Sequence, residues 1–174
     1  MACNELENII KSCDNNNGGI YTAYIGDMDD IATITEDAAT WSITAMTLAA
    51  LTPALSFYFK RNTSMYTDEA TNDLIAGSSF YTKTINLVFH RRDADKSKAI
   101  KILGEGQRYL YVVIGDANGL FWYFPYMQLT AVAGGSGTAR ADGSNYNLTL
   151  VGQDEYSAKT MSSILAASLL VATS

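Results

Sequence analysis

The sequence predicts a mainly β fold, a β-sandwich or barrel with one flanking α-helix at about 92–103. Three observations predict it. Apolar and polar residues alternate with period two along Phe80–His90 and again along Asn145–Leu150. A helix-like charge pattern, acids early and bases late, occurs once inside the chain. The element order is then many strands, one helix and several strands, without the regular strand–helix repeat of a parallel sheet.

Taken in order, residues 3–13 read as a short amphipathic helix with Leu6, Ile9 and Ile10 on one side, ended by the turn-forming Asn15–Gly19. Residues 1–19 are thus an N-terminal arm. Ile20–Ile25 and Ile31–Thr35 read as strands around a turn at Gly26–Asp30. Trp41, Ile43 and Ala45 alternate with Ser42 and Thr44, and Leu55–Arg61 is aromatic and β-prone. Residues 62–79 are polar and read as a long loop or an extended hairpin arm. Loops beyond ~12–15 residues in compact domains are usually functional or disordered.

In Phe80–His90, Tyr81, Ile85, Leu87 and Phe89 share one face, with Thr82, Thr84, Asn86 and His90 on the other. The helix follows, with Asp93 and Asp95 early, Lys96, Lys98 and Lys101 later, and Gly104 as its stop. Tyr109–Ile114 and Leu120–Phe124 flank a hairpin loop at Gly115–Gly119, and Met127–Val132 reads as a further strand after Pro125. Gly134–Ser144 reads as a flexible loop. Residues 159–174 form a C-terminal arm whose apolar part fits helix or strand.

The chain has 174 residues, enough for one domain with a core and no disulfide staples. Charged residues are 17% of it, and the net charge is −6. That composition excludes general disorder and argues against a protein that grips nucleic acid. The imbalance is local. Residues 1–37 hold eight acids and one base, whereas residues 38–174 hold ten acids and eleven bases. The first residues lack the pattern of a signal peptide, and the apolar run Ile164–Ala172 is shorter than the ~20 residues of a membrane span. Cys3 and Cys13 read as reduced thiols, too few with the lone His90 for a zinc site.

No catalytic constellation is legible. His90 would have to serve any Ser-His-Asp triad, and no GxSxG elbow exists. Asp27, Asp29 and Asp30 resemble part of a calcium loop, but the sixth and twelfth positions are Ala32 and Ala38 instead of Gly and Glu. Gly104-Glu105-Gly106 follows a helix instead of opening one, which does not suit a phosphate. Lys60-Arg61 and Arg91-Arg92 are the two adjacent basic pairs, each after an aromatic strand. The net charge favours surface capping, or contact with a neighbour's acids, over a nucleic-acid groove. No cofactor is implied.

The run Leu120–Ala158 (LFWYFPYMQLTAVAGGSGTARADGSNYNLTLVGQDEYSA) combines an aromatic strand, a strand opening near Pro125, a Gly/Ser-rich loop, a DGSNY turn and an alternating YNLTLVG strand. This pattern resembles the end of the tail tube proteins of long-tailed bacteriophages. The likeness covers the chain from Leu55 onward. It lies in elements and composition, and residues 1–37 take no part in it.

The resemblance implies a β-sandwich or barrel whose copies form rings, usually sixfold, stacked into a hollow tube. DNA passes down that tube at ejection, and loops and arms bridge successive rings. It implies a virion component assembled in the bacterial cytoplasm, with other tail proteins as partners, no catalysis and no membrane segment. Asp27, Asp29 and Asp30 are then candidate lumen acids, since a wall of like charge repels phosphate. Lys60, Arg61, Asp68, Glu69, Asp73, Arg91, Arg92, Met161, Ile164, Leu165 and Leu169 are candidate inter-subunit contacts. Three readings compete: a carbohydrate- or protein-binding β-sandwich using the eleven tyrosines, a capsid-decorating or tail-terminator protein, and, least supported, an enzyme.

Overall fold

A computed structural model describes residues 9, 13–49, 52–59, 62–139 and 141–170. Ten strands carry the fold: β1 (Ile20–Asp27), β2 (Ile31–Asp37), β3 (Ser42–Leu48), β4 (Leu55–Phe57), β5 (Met65–Asp73), β6 (Ser78–His90), β7 (Leu110–Asp116), β8 (Phe121–Gly135), β9 (Asn145–Asp154) and β10 (Lys159–Met161). Helix α1 (Ala94–Gly104) lies between β6 and β7, and α2 (Ser163–Ser168) follows β10.

The strands form one continuous sheet folded back on itself. One path runs β2-β3-β10-β8-β7-β1-β4, and a second runs β5-β6-β9-β8. Strand β8 belongs to both. Its first half pairs with β7 and β10, and from Gln128 onward it pairs with β9. The switch falls at Pro125-Tyr126, where two β8 residues oppose Tyr111 alone between the pairs Val112↔Phe124 and Leu110↔Met127. Such a bulge bends a strand without ending it. Proline has no N–H to offer the ladder, and Tyr126 takes the left-handed region at φ 53°. Gly152 of β9 sits against this bend. A Cβ there would lie 2.9 Å from the Tyr126 carbonyl oxygen and 2.7 Å from the Met127 sulfur.

Folding at β8 encloses the main core, in which Ile85, Leu87 and Phe89 of β6 meet Val112, Ile114, Leu148 and Leu150. Ile100 and Leu103 of α1 close this core from one side. A second core lies on the opposite face of β7, where Tyr111 and Val113 pack with Ile43, Tyr123, Met161, Ala166 and Leu169. Strand β7 is therefore buried along its whole length. Burial holds the Tyr111 hydroxyl proton firmly, pushing its pKa up.

Helix α1 begins where Asp93 accepts a hydrogen bond from the Lys96 amide at 2.8 Å. Hydrogen bonds from the Lys96 side chain and amide hold the Asp93 carboxyl below its usual pKa. A depressed pKa adds stability above the ordinary carboxylate range, and that stability is lost as pH falls through the depressed value. The first turn of α1 is therefore expected to fray in acid, read as loss of Lys96 amide protection. Asp93→Asn is expected to keep the cap and remove the pH dependence.

The mainly β fold and the single main helix agree with the sequence. Three segments refine the reading. Residues 62–79 hold β5 and the start of β6, so the hairpin arm is the reading the structure takes. Phe121–Gly135 is one strand where Pro125 suggested two. The apolar C-terminal segment is a short strand followed by a short helix. The expected helix at 3–13 lies almost wholly outside the described residues. Among the described residues no helix is long and apolar enough to cross a membrane.

Candidate subunit interface

Strands β5 and β6 form an exposed arm that carries apolar residues at its end. These strands keep register through nine pairs, from Met65↔Asn86 to Asp73↔Ser78. Strand β9 supports β6 only as far as Tyr81, which faces Asp154. Beyond that point Thr71–Asp73 and Ser78–Phe80 continue as a two-stranded projection, and residues 69–79 are exposed.

The tip is ordered by its own chemistry. Asp73 accepts hydrogen bonds from the Ile75 and Ala76 amides at 2.8 and 3.0 Å, and the Gly77 amide reaches the Asp73 carbonyl at 2.8 Å. Gly77 stands at φ 68°, a conformation glycine adopts without a Cβ penalty. This turn presents Leu74 and Ile75 outward, 94% and 100% exposed. Two aliphatic side chains thus stand bare at the end of a projecting hairpin.

The root of the arm is fixed by buried charge. Lys83 of β6 is fully buried and donates to Asp154 at 2.9 Å. Asp68, in register opposite Lys83, accepts the Ala158 amide at 2.7 Å. Asp68 is thus engaged within the subunit, while Glu69 is exposed and Asp73 shapes the tip.

The other candidates scatter. Lys60 and Arg61 lie outside the described residues. Arg91 is exposed, with φ 61° and its amide on the Ser144 carbonyl at 2.7 Å. Arg92 is exposed and stacks its guanidinium 4.9 Å from the Tyr146 ring centre. His90 is exposed at the end of β6, in register with Asn145. In the C-terminal segment Ile164 is exposed and Leu165 half-buried, but Met161 and Leu169 belong to the second core and face inward. Their apolar character reflects packing inside the subunit.

Asp27, Asp29 and Asp30 surround a 3-10 turn at Met28–Asp30. Asp27 caps it through the Asp29 amide at 3.1 Å and meets Arg108 at 3.2 Å. Asp29 is exposed. Asp30 is half-buried, and burial, then the charges of Asp27 and Asp29, raise its pKa. A second acid–base contact joins Lys159 to Glu36, with Lys159 also over the rings of Trp41 and Tyr156. The N-terminal acids are therefore partly neutralised by bases of the same chain. Among the described residues no group of three His, Cys, Asp or Glu side chains converges as metal ligands would.

One open groove, about 570 Å³, is lined by Tyr109, Tyr126, Gln128, Thr130 and Gln153. The two tyrosines meet edge to face at 6.1 Å between ring centres. Sequence reading missed this groove, because the β8 bulge creates it. It also passed over Lys83, although alternation already placed that residue on the inward face of its strand.

A comparison with known protein families finds no matching family model, and a comparison with curated proteins finds no match.

Proposed function

We propose that this chain is a structural virion protein, a subunit of stacked, self-assembling rings that form a phage tail tube. The observation that carries the reading is the β5–β6 arm with Leu74 and Ile75 bare at its tip. An isolated subunit has no use for such a tip, whereas an assembling one covers it with a neighbour. The likeness of Leu120–Ala158 to tail tube proteins supports the reading further. In this account the rings are hexameric, and the tube conducts DNA without retaining it. The exposed carboxylate of Asp29, with Asp27 and Asp30 beside it, contributes negative charge to the lumen wall, since like charge repels phosphate.

The arm provides the test. Leu74→Asp with Ile75→Asp is expected to abolish assembly while leaving the melting temperature of the subunit unchanged, because the tip is exposed and packs on nothing among the described residues. Sedimentation of the variant beside the parent reads the first, and thermal unfolding reads the second. Assembly undiminished in the variant contradicts the proposal.

A second reading, a carbohydrate-binding module, draws on the groove at Tyr109 and Tyr126, where half-exposed rings stand beside Gln128 and Gln153. Reproducible glycan-array binding by a protein that forms no polymer would favour it.

A further inference from the structure

We propose that the tip of the β5–β6 arm docks, in the next copy of this chain, into the apolar cleft between β4 and α1. This rests on the self-assembly reading above and names the surface that receives the arm. The cleft holds about 220 Å³ and is lined by Phe57, Tyr58, Phe89, Lys96, Ala99 and Ile100. Tyr58 stands at its edge, 84% exposed. The space is lined mainly by apolar side chains and suits aliphatic side chains such as Leu74 and Ile75.

Charge complements shape. The arm carries Glu69 and Asp73, while α1 carries Lys96 at the cleft and Lys98 and Lys101 elsewhere along the helix, against the single acid Asp95 within it. Lys96 is paired with Asp93 in its own chain, and Lys98 and Lys101 are exposed. An acidic arm entering beside a basic helix is steered toward this cleft and away from acidic surface.

Position rules out the arm's own cleft. The tip adjoins Ser78 and the cleft contains Phe89, so the two lie at opposite ends of β6. At ~3.4 Å per residue they are roughly 40 Å apart. A protein whose plug and socket occupy opposite ends joins head to tail, and a contact of that kind propagates when it does not close. Copies so joined repeat at no more than roughly 40 Å along the strand direction.

The test is a cysteine pair. Ile75→Cys and Ala99→Cys are placed together in a full-length chain with Cys3→Ser and Cys13→Ser, and assembly is checked by sedimentation before mild oxidation. A ladder of covalent multimers on non-reducing gels is expected, with none from either single cysteine. Independently, Ala99→Glu is expected to raise the concentration needed for assembly at least about tenfold through repulsion of the acidic arm, whereas Ala99→Leu is not. Assembly with no ladder and no effect of Ala99→Glu overturns the docking site and leaves self-assembly standing. Covalent dimers that never extend further overturn the head-to-tail geometry. A parent chain that does not assemble overturns both proposals.

Discussion

Asp154→Ala is expected to destabilise the subunit by about 3–5 kcal/mol, whereas Lys83→Met is expected to be neutral or stabilising. The asymmetry follows from burial. Lys83 is inaccessible, and among the described residues Asp154 is the carboxylate within ion-pair distance, at 2.9 Å. Removing Asp154 leaves the buried ammonium without its ion-pair partner, with Asp68 opposite it in register, and burying an unpaired charge is costly. Removing Lys83 instead leaves Asp154 partly exposed, where water solvates it. Methionine fills the vacated space and adds an apolar contact beside Ile85 and Tyr81 on the same strand face. Urea unfolding of the two variants beside the parent measures the difference. Equal losses would show that the pair behaves as a hydrogen bond between interchangeable partners.

Asp116→Ala is expected to cost about 1–3 kcal/mol, because the half-buried Trp122 indole loses its acceptor, whereas the Asn118 and Leu120 amides lie in an exposed turn where water can replace it. Asp116 closes the β7–β8 hairpin. One carboxylate oxygen accepts the Asn118 and Leu120 amides, both at 2.9 Å, and the other accepts the Trp122 indole N–H at 2.9 Å. The residue is itself buried. Asp116→Asn is expected to lose less, since one oxygen remains to serve the turn while an amide group opposes the indole. Denaturant midpoints give the energies. The Trp122 indole proton resonance reports whether that particular bond survives. An unshifted resonance in Asp116→Ala would contradict the assignment.

Features written in local chemistry were legible before the structure. Alternation revealed Phe80–His90 and Asn145–Leu150, charge order revealed α1, and Gly115–Gly119 revealed a hairpin. Features set by distant contacts were not. Strand β5 is rich in Thr, Asp and Asn and is exposed on both faces toward its tip, so no alternation marks it. Pairing with β6 makes it a strand. Pro125 reads as a break, yet a bulge opposite Tyr111 lets β8 cross from one half of the fold to the other. Met161 and Leu169 look like exposed apolar arm residues in sequence, but the second core on the far face of β7 takes them in. The arm itself was visible as a break in pattern. Its bare tip and the cleft at Phe57 and Phe89 became visible only with the chain folded.

The central claim is self-assembly into a hollow tube. Negative-stain electron microscopy of the purified full-length chain tests it most directly. The account predicts rings and stacked tubes with a central channel. Particles that stay strictly monomeric at high protein concentration, even with phage tail components added, would contradict it.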